Sequence, residues 1–507
     1  MHYSQPTLTP GKMELSLLLS LFITLLITIH FFISWWRQYK QYKILPPGPT
    51  PIPLLGTPKY LNIQTVYKDY TKLSQKYGPI FTIWMLSEPM VVLCGYETVR
   101  EALVNHAEEF SARPIIPTLD FPTNGYDVNG PRWRNIRRFI ISSLRTIGMG
   151  KKTMESRVLE EATYVNQLVS EMEGKPFNPM LILSCAVGNI MSSVLFGEHF
   201  DYKDPKFHDL MMRTSRHLRA ILTPLYMICN IFPFLLKLPI LPNIIFKEQF
   251  YLQKFVLKYI EEHKRTLNPE APRDFIDHYL LKTKEVEHEE DPDFCVSSLP
   301  YTVVGLLSAG SETTASTLKF ILVFIAHYPD VQVKVQKEID EVTQSLRPPT
   351  FEDRAQMPYT HAVIHEIQRI LDLVSTAFFH SVTKDVQLHG YTIPKGTTII
   401  PFLTSVLYDP SQWETPEQFN PEHFLDGEGQ FRNRGAFMPF SAGKRVCAGE
   451  NLARMMLFLL FSALLQKFTL KLPPGAEPHE SKWLYANKNE IIMNTELCAI
   501  PRTLATK

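Results

Sequence analysis

One stretch near the C-terminus constrains this chain more than any other: a cysteine between two glycines, followed by a long apolar run. In Phe440-Ser-Ala-Gly-Lys-Arg-Val-Cys-Ala-Gly449, Cys447 is preceded by Gly443 and Arg445 and followed by Gly449. The next residues, Glu450 to Leu465, are mostly apolar and free of Gly and Pro, which predicts a buried helix. Cys447 then lies at a helix N-terminus, where unpaired N–H groups and the helix dipole favour an anion. That setting predicts a lowered thiol pKa and a thiolate. Gly443 and Gly449 permit tight turns and the close approach of a flat ligand. Phe440 can pack on such a ligand, and Arg445 can pair with a carboxylate on it.

Taken alone, a cysteine at a helix start is more often a small buried hydrophobe. The full F-x-x-G-x-R-x-C-x-G spacing is far more specific. It resembles the haem-binding signature of the cytochrome P450 family of haem-thiolate monooxygenases, in the microsomal family-two branch, with every signature position filled. The resemblance runs from about Met13 to Arg502. It implies haem b with Cys447 as the iron ligand, an established ligation mode of that family, and Phe440, Gly443 and Arg445 around the cofactor. It also implies a mainly α fold with a small β-rich lobe, tethered by a single N-terminal transmembrane helix.

At 507 residues the length alone suggests about three domains. Beyond the first 55 residues, however, the chain has no Gly/Ser linker, low-complexity tract or internal repeat. With 45% hydrophobic and 20% charged residues it can fill one large, mostly helical core. A net charge of +1 gives no basic excess for nucleic acid. The six cysteines are scattered without a CxxC pair, which argues against a disulfide framework and a structural zinc site. A reducing compartment follows.

Leu15 to Trp36 is a 22-residue stretch rich in Leu, Ile and Phe, long enough to span a bilayer. It lacks the short apolar core and small-residue cleavage site of a removable signal peptide. Arg37, Lys40 and Lys43 follow it, so the positive-inside rule places the downstream domain in the cytosol. Alternating prolines from Pro46 to Pro53 then stiffen the chain. The expected organisation is a lumenal segment (1–12), a signal anchor (13–36), a basic and Pro-rich linker (37–53) and the catalytic domain (54–507). The resemblance implies the endoplasmic reticulum membrane as its location.

Gly78 to Gly95 alternates around Ser87-Glu88-Pro89 and reads as a hairpin. Asn129 to Phe139 opens with turn residues and continues as a basic helix, with Trp133 and Arg137 on one face. An indole N–H and a guanidinium there suit carboxylates, and the resemblance makes them haem-propionate partners. Arg113 and His380 match further propionate positions. The basic residues Arg134, Arg138, Lys151 and Lys152 offer a docking patch for an acidic redox partner, with a merely solvated basic face as the alternative. Pro233 to Phe246 is apolar but proline-broken, and the resemblance lays it on the membrane surface.

Leu299 to Tyr328 is the long central helix, with the polar middle Ala309-Gly-Ser-Glu-Thr-Thr314. Glu312 and Lys319 exclude a second membrane span. Serine and threonine in helices often bond back to their own carbonyls, yet Gly310 would let a ligand approach the backbone. The segment matches the family's A-G-x-E-T-T oxygen-activation motif, which makes Glu312 and Thr313 a proton relay. Glu366 and Arg369 match the family's buried E-x-x-R pair, closed by Phe419 to Phe424, with His423 where many members carry arginine. The segment Val374 to His380 lacks two prolines that relatives carry, while Val374, Phe378 and Ala309 match pocket positions. Asp127 and Lys488, the latter near an expected apolar hairpin tip, are further pocket candidates, with solvent exposure the favoured alternative.

The implied reaction takes electrons from NADPH through a flavoprotein reductase, with cytochrome b5 as a second donor, and hydroxylates or epoxidises a small lipophilic substrate. The expected partners also include the phospholipid membrane and exclude nucleic acid. Two alternatives stand beside it: a haem-thiolate isomerase or dehydratase acting on lipid peroxides, and a catalytically silent haem-binding membrane protein. The Glu312–Thr313 pair counts against both.

Overall fold

The structure, a computed structural model, describes residues 10–61, 66–123, 129–221, 223–286, 288, 293–376 and 378–502. The chain divides into two compact units, Met1–Pro114 with Ser375–Val406, and Ile115–Val374 with Leu407–Lys507.

The first unit begins with helix α1 (Pro10–Tyr42). Several of its described side chains, among them Leu18, Leu21, Phe22, Leu25, Phe32 and Trp36, are exposed. Residues 1–9 of the expected lumenal segment, and the side chains of 10–17, lie outside the described residues. Among the described residues no helix is long and apolar enough to cross a membrane. The predicted hairpin is present as β1 (Ile80–Met85) and β2 (Glu88–Leu93), paired antiparallel with Met85 opposite Glu88. Its turn is therefore Leu86-Ser87, and Glu88 and Pro89 are already in the strand. Leu86 takes φ +55°, a conformation that leucine propensity does not announce. Pro89 precedes the first residue paired with β6, Met90, so its missing N–H breaks no bond of that parallel ladder.

Four more strands complete this unit: β3 (His380–Ser381), β4 (Val386–Leu388), β5 (Tyr391–Ile393) and β6 (Thr398–Pro401). The four-stranded sheet has the order β1-β2-β6-β3, and β4 with β5 forms a separate hairpin.

The second unit is helical. Its main elements are α2 (Gly130–Ile147), α3 (Lys152–Ser170), α4 (Met180–Leu195), α5 (Pro205–Ala220), α6 (Lys247–Thr266) and α7 (Phe275–Glu285). They are followed by α8 (Leu299–Ala326), α9 (Pro358–Leu371) and α10 (Glu450–Lys467). Pro at the first turn starts α2, α5, α8 and α9, where its missing N–H costs nothing. The expected central helix is α8, ending two residues before Tyr328. From Thr314 to Ala326 every side chain is buried, Lys319 included. The expected helix after Cys447 is α10, buried from Met455 to Gln466. One antiparallel pair, β7 (Phe468–Lys471) and β8 (Cys498–Pro501), lies beyond it. Between them run two short helices, α11 (Ser481–Ala486) and α12 (Lys488–Asn494), where a hairpin was expected.

His263, Asp274 and Asp277 present metal-ligand atoms within 4.8 Å of one another, but those atoms are already committed. His263 Nδ1 donates to the Tyr259 carbonyl at 2.7 Å and Nε2 to Asp274 at 2.7 Å, a double-donor state that only imidazolium supplies. Asp277 takes both Arg273 nitrogens, at 2.7 and 2.9 Å. Burial pulls the His263 pKa down, but the hydrogen bond and charge of Asp274 outweigh it and leave it raised. The stabilisation is thus fully present below the unfolded value of about 6.5 and is lost as pH rises through the folded value. His263→Gln should abolish this alkaline loss, which urea midpoints taken between about pH 6 and 9 would reveal.

Candidate functional site

The cysteine loop belongs to the helical unit. Ser441 and Gly443 both sit in the left-handed region, with φ +62° and +70°, the second a conformation that favours glycine. The Cys447 N–H donates to the Phe440 carbonyl at 3.0 Å, closing the loop. Cys447 keeps access to solvent, although protein packs closely around its sulfur, and it stands just ahead of α10, whose N-cap is Gly449. A Cβ built on Gly449 would meet only the Cys447 sulfur, at 4.0 Å.

The expected low thiol pKa is not found. Burial by surrounding protein raises it most. The N–H groups of Gly449 and Glu450 and the charge of Arg137 lower it, while the Glu450 carboxylate adds to the rise. Desolvation wins over the helix terminus. The free group is therefore a thiol, and a bound metal ion would have to displace its proton.

Trp133, Arg137 and Arg445 gather beside this loop. The Arg445 guanidinium lies 3.3 Å from the Trp133 ring centroid, and that of Arg137 5.8 Å. Arg137 donates to the Val446 carbonyl, and Arg445 reaches Asn129 Oδ1 at 3.3 Å. Burial lowers the Arg137 pKa, with the nearby Cys447 sulfur opposing. Phe440 packs under Arg454, 5.3 Å from its guanidinium. Arg454 in turn holds Glu450 through two bonds of 3.0 and 2.8 Å. This Glu450–Arg454 bracket was readable as an i,i+4 pair but was not singled out.

On α8, Gly305 and Ala309 are exposed and Thr313 partly so, one turn apart. These positions form an open stripe on an otherwise buried helix. Thr313 Oγ1 donates back to the Ala309 carbonyl at 2.6 Å. Glu312, on the neighbouring face, accepts from Arg219 at 2.9 Å and Ser215 at 3.0 Å, both on α5. No motif marks Arg219 or Ser215, so sequence reasoning missed them. Gly310 does not face a ligand: a Cβ there would lie 2.7 Å from Met191 Sδ and Cε on α4. Its role is helix packing.

Glu366 and Arg369 form the expected buried pair, wholly shielded, at 2.8 Å. His423 Nδ1 and the Asn420 N–H close on Glu366 at 3.1 and 3.0 Å.

In the other unit, Arg113 donates to the Phe378 and Phe379 carbonyls at 2.6 and 2.8 Å. The missing prolines thus have a substitute, a guanidinium that fastens the loop. His380 is buried, with Nδ1 bonded to the Phe110 carbonyl at 2.7 Å. Phe378 is 63% exposed, and Val374, in the helical unit, is partly buried. Asp127 lies outside the described residues.

Lys488 is a correction: it neither lines a hairpin tip nor faces water. Its ammonium donates to the carbonyls of Leu371 and Asp372 at 3.1 and 2.7 Å, capping the end of α9 as a cation does at a helix C-terminus. Burial lowers its pKa, with Asp372 opposing.

A helical unit that holds both an exposed cysteine on such a loop and a central helix carrying Ala309 to Thr314 has the parts of a haem-thiolate enzyme. Residues 46–494 match the family model for Cytochrome P450, and the chain belongs to that family. It is 44% identical to cytochrome P450 2C29 of Mus musculus over 457 residues, 89% of this chain and 93% of that relative. It is 45% identical to cytochrome P450 2C25 of Mesocricetus auratus over 444 residues, 87% and 91% of the two. Cytochrome P450 2C6 of Rattus norvegicus is 41% identical over 493 residues, 96% of this chain and 100% of that relative. The chain is a monooxygenase of this family, with haem b as its prosthetic group and lipophilic molecules as its substrates.

Proposed function

We propose that this protein hydroxylates or epoxidises fatty acids, steroids or foreign lipophilic compounds, inserting one atom of O2. Electrons come from NADPH through a flavoprotein reductase, with cytochrome b5 as a second donor. The observation that carries the reading is the exposed Cys447 sulfur, held between the backbone N–H groups of Gly449 and Glu450 and close to Arg137. The donor set fits haem: one accessible thiol, two guanidiniums and an indole N–H for carboxylates, and a buried Ser441 hydroxyl without a partner in the same loop. Haem, when bound, supplies the oxygen-activating chemistry.

The chain's own residues hold, orient and deliver. Cys447 Sγ would be the iron ligand, with the two N–H groups stabilising its thiolate form. Phe440 and Gly443 shape the loop that presents it. Trp133, Arg137 and Arg445, which gather beside the Cys447 loop in the helical unit, would bind propionates. The Glu312 carboxyl passes a proton to the Thr313 hydroxyl, which leaves the Ala309 carbonyl to carry it onward. Ala309 and Val374, in the helical unit, are the substrate-lining candidates among its described residues. Residues 13–36 anchor the protein in the endoplasmic reticulum membrane, and 1–12 lie in the lumen. Residues 37–53 link the anchor to the cytosolic catalytic domain, 54–507.

The test is ¹⁸O₂ incorporation by the purified protein, reconstituted in lipid with reductase and NADPH, across fatty acids, steroids and drug-like compounds. One labelled atom in an NADPH-dependent product establishes the reading. Product formed from lipid hydroperoxides without NADPH, and no labelled product, overturns it. Thr313→Ala should lower product formation by about 10²-fold, the lower end of what a positioned proton donor contributes, while NADPH consumption falls far less.

A further inference from the structure

The acid of the oxygen-activation motif is not free. Glu312 Oε1 takes the Arg219 guanidinium at 2.9 Å and the Ser215 hydroxyl at 3.0 Å, with Ser316 at 3.5 Å. The Glu312 side chain is 12% exposed and Arg219 37%, so the contact is shielded on the acid's side and open to water on the guanidinium's. Successive residues on a helix point about 100° apart, and the carboxylate follows α5 while the Thr313 hydroxyl turns back to Ala309.

Arg219 has reason to hold on. It also faces the Met493 sulfur and the buried Lys319, whose pKa burial and then the Arg219 charge bring down to about 8. Glu312 takes the Arg219 charge directly, while Glu490 and Glu496 oppose that charge at Lys319. Where α5 meets α4, a Cβ on Gly188 would lie 2.3 Å from the Met211 sulfur. The Met191 side chain fills the corresponding notch at Gly310 on α8. Each contact is a methionine in a glycine notch, so α5 and α8 both pack closely on α4, with an adaptable side chain at each contact.

We infer that Arg219, with Ser215, is a positioning residue for proton delivery: it draws Glu312 onto α5 and away from Thr313, so the seat of α5 sets when the acid can serve the hydroxyl. This rests on the proposed Glu312–Thr313 relay. Only a proton moves, from the Glu312 carboxyl to Thr313, and the carboxylate is reprotonated from solvent.

The experiment compares wild type, Arg219→Leu, Arg219→Lys, Ser215→Ala, Glu312→Gln and Arg219→Leu combined with Glu312→Gln as reconstituted holoenzymes. The contact uses one arginine nitrogen, so lysine can replace it. Arg219→Leu should raise substrate-free NADPH oxidation several-fold and lower the solvent deuterium isotope effect on turnover. Arg219→Lys should restore both, and Ser215→Ala should shift both in the direction of Arg219→Leu by less. In the resting protein, the infrared carboxylate band that Glu312→Gln removes should shift in Arg219→Leu and return in Arg219→Lys. In the Glu312→Gln background, Arg219→Leu should do nothing more. The inference is overturned by unchanged oxidation, isotope effect and infrared band in Arg219→Leu and Ser215→Ala. Effects of equal size with and without Glu312 also overturn it. An unchanged isotope effect and coupling in Glu312→Gln alone would instead remove the relay reading, and this inference with it.

Discussion

Cys447→Ser should abolish the thiolate-type spectrum of the reduced CO complex and bring oxygenation to background while leaving the fold intact. The two halves of this expectation have separate causes. Cys447 is exposed and lies outside the packed core, so changing sulfur to oxygen should cost no more than about 0.5 kcal/mol, as for surface substitutions generally. The chemistry has no such tolerance. Thiolate is a soft, electron-rich donor, and an alcohol does not ionise near neutral pH to replace it. Because burial raises the free thiol's pKa, the ligand is formed by metal displacing a proton, a step that serine's far weaker acidity blocks. Circular dichroism and thermal unfolding of the apoprotein report the first half, and the reduced CO difference spectrum the second. Cys295→Ser, at a partly buried thiol engaged with Ser297 and Ser298, should leave both unchanged.

What could be read in advance divides by the range of the physics. Periodicity and punctuation are local, so α8 and α10 were legible almost to the residue, as was the β1–β2 hairpin. The turn was displaced because Leu86 adopts φ +55°, a conformation imposed by the strands it joins. The Cys447 loop was legible as a spacing, but its thiol pKa was misread: the helix terminus is visible in sequence, whereas desolvation depends on everything packed around the sulfur. Gly310 failed in the same way, since the atom that needs its missing side chain is Met191, 119 positions earlier. Lys488 was placed on a hairpin because the helices α11 and α12 replace one, and its partners lie 116 and 117 residues away. Arg219 carries no motif at all. Its importance is a contact with Glu312 across 93 residues.

Arg369→Leu should destabilise the helical unit by about 3–5 kcal/mol, the range for breaking a buried ion pair from one side. Arg369 and Glu366 have no exposure, and two parallel bonds of 2.8 Å join them. The same guanidinium donates to the Leu407 and Pro416 carbonyls at 2.8 Å and to Gln418 at 3.1 Å. Leucine would strand three carbonyls and a carboxylate in a place water does not reach, and unmade buried bonds cost more than made ones contribute. Glu366→Gln should cost less than Glu366→Leu. The guanidinium loses its countercharge, but the amide oxygen can still accept from the Asn420 N–H, now at 3.0 Å, and from one Arg369 nitrogen, now at 2.8 Å. The double replacement, Glu366→Leu with Arg369→Leu, should cost less than the sum of the two single leucine variants, because each single leaves the other's charge unpaired. Urea midpoints of the holoenzyme read the stability. Haem retention reads the consequence for the site, since Leu407 to Gln418 and the Phe419–Phe424 segment precede the Cys447 loop in the same unit. Equal losses for Arg369→Leu and a distant exposed arginine, or strict additivity in the double variant, would show that the pair carries no such coupling.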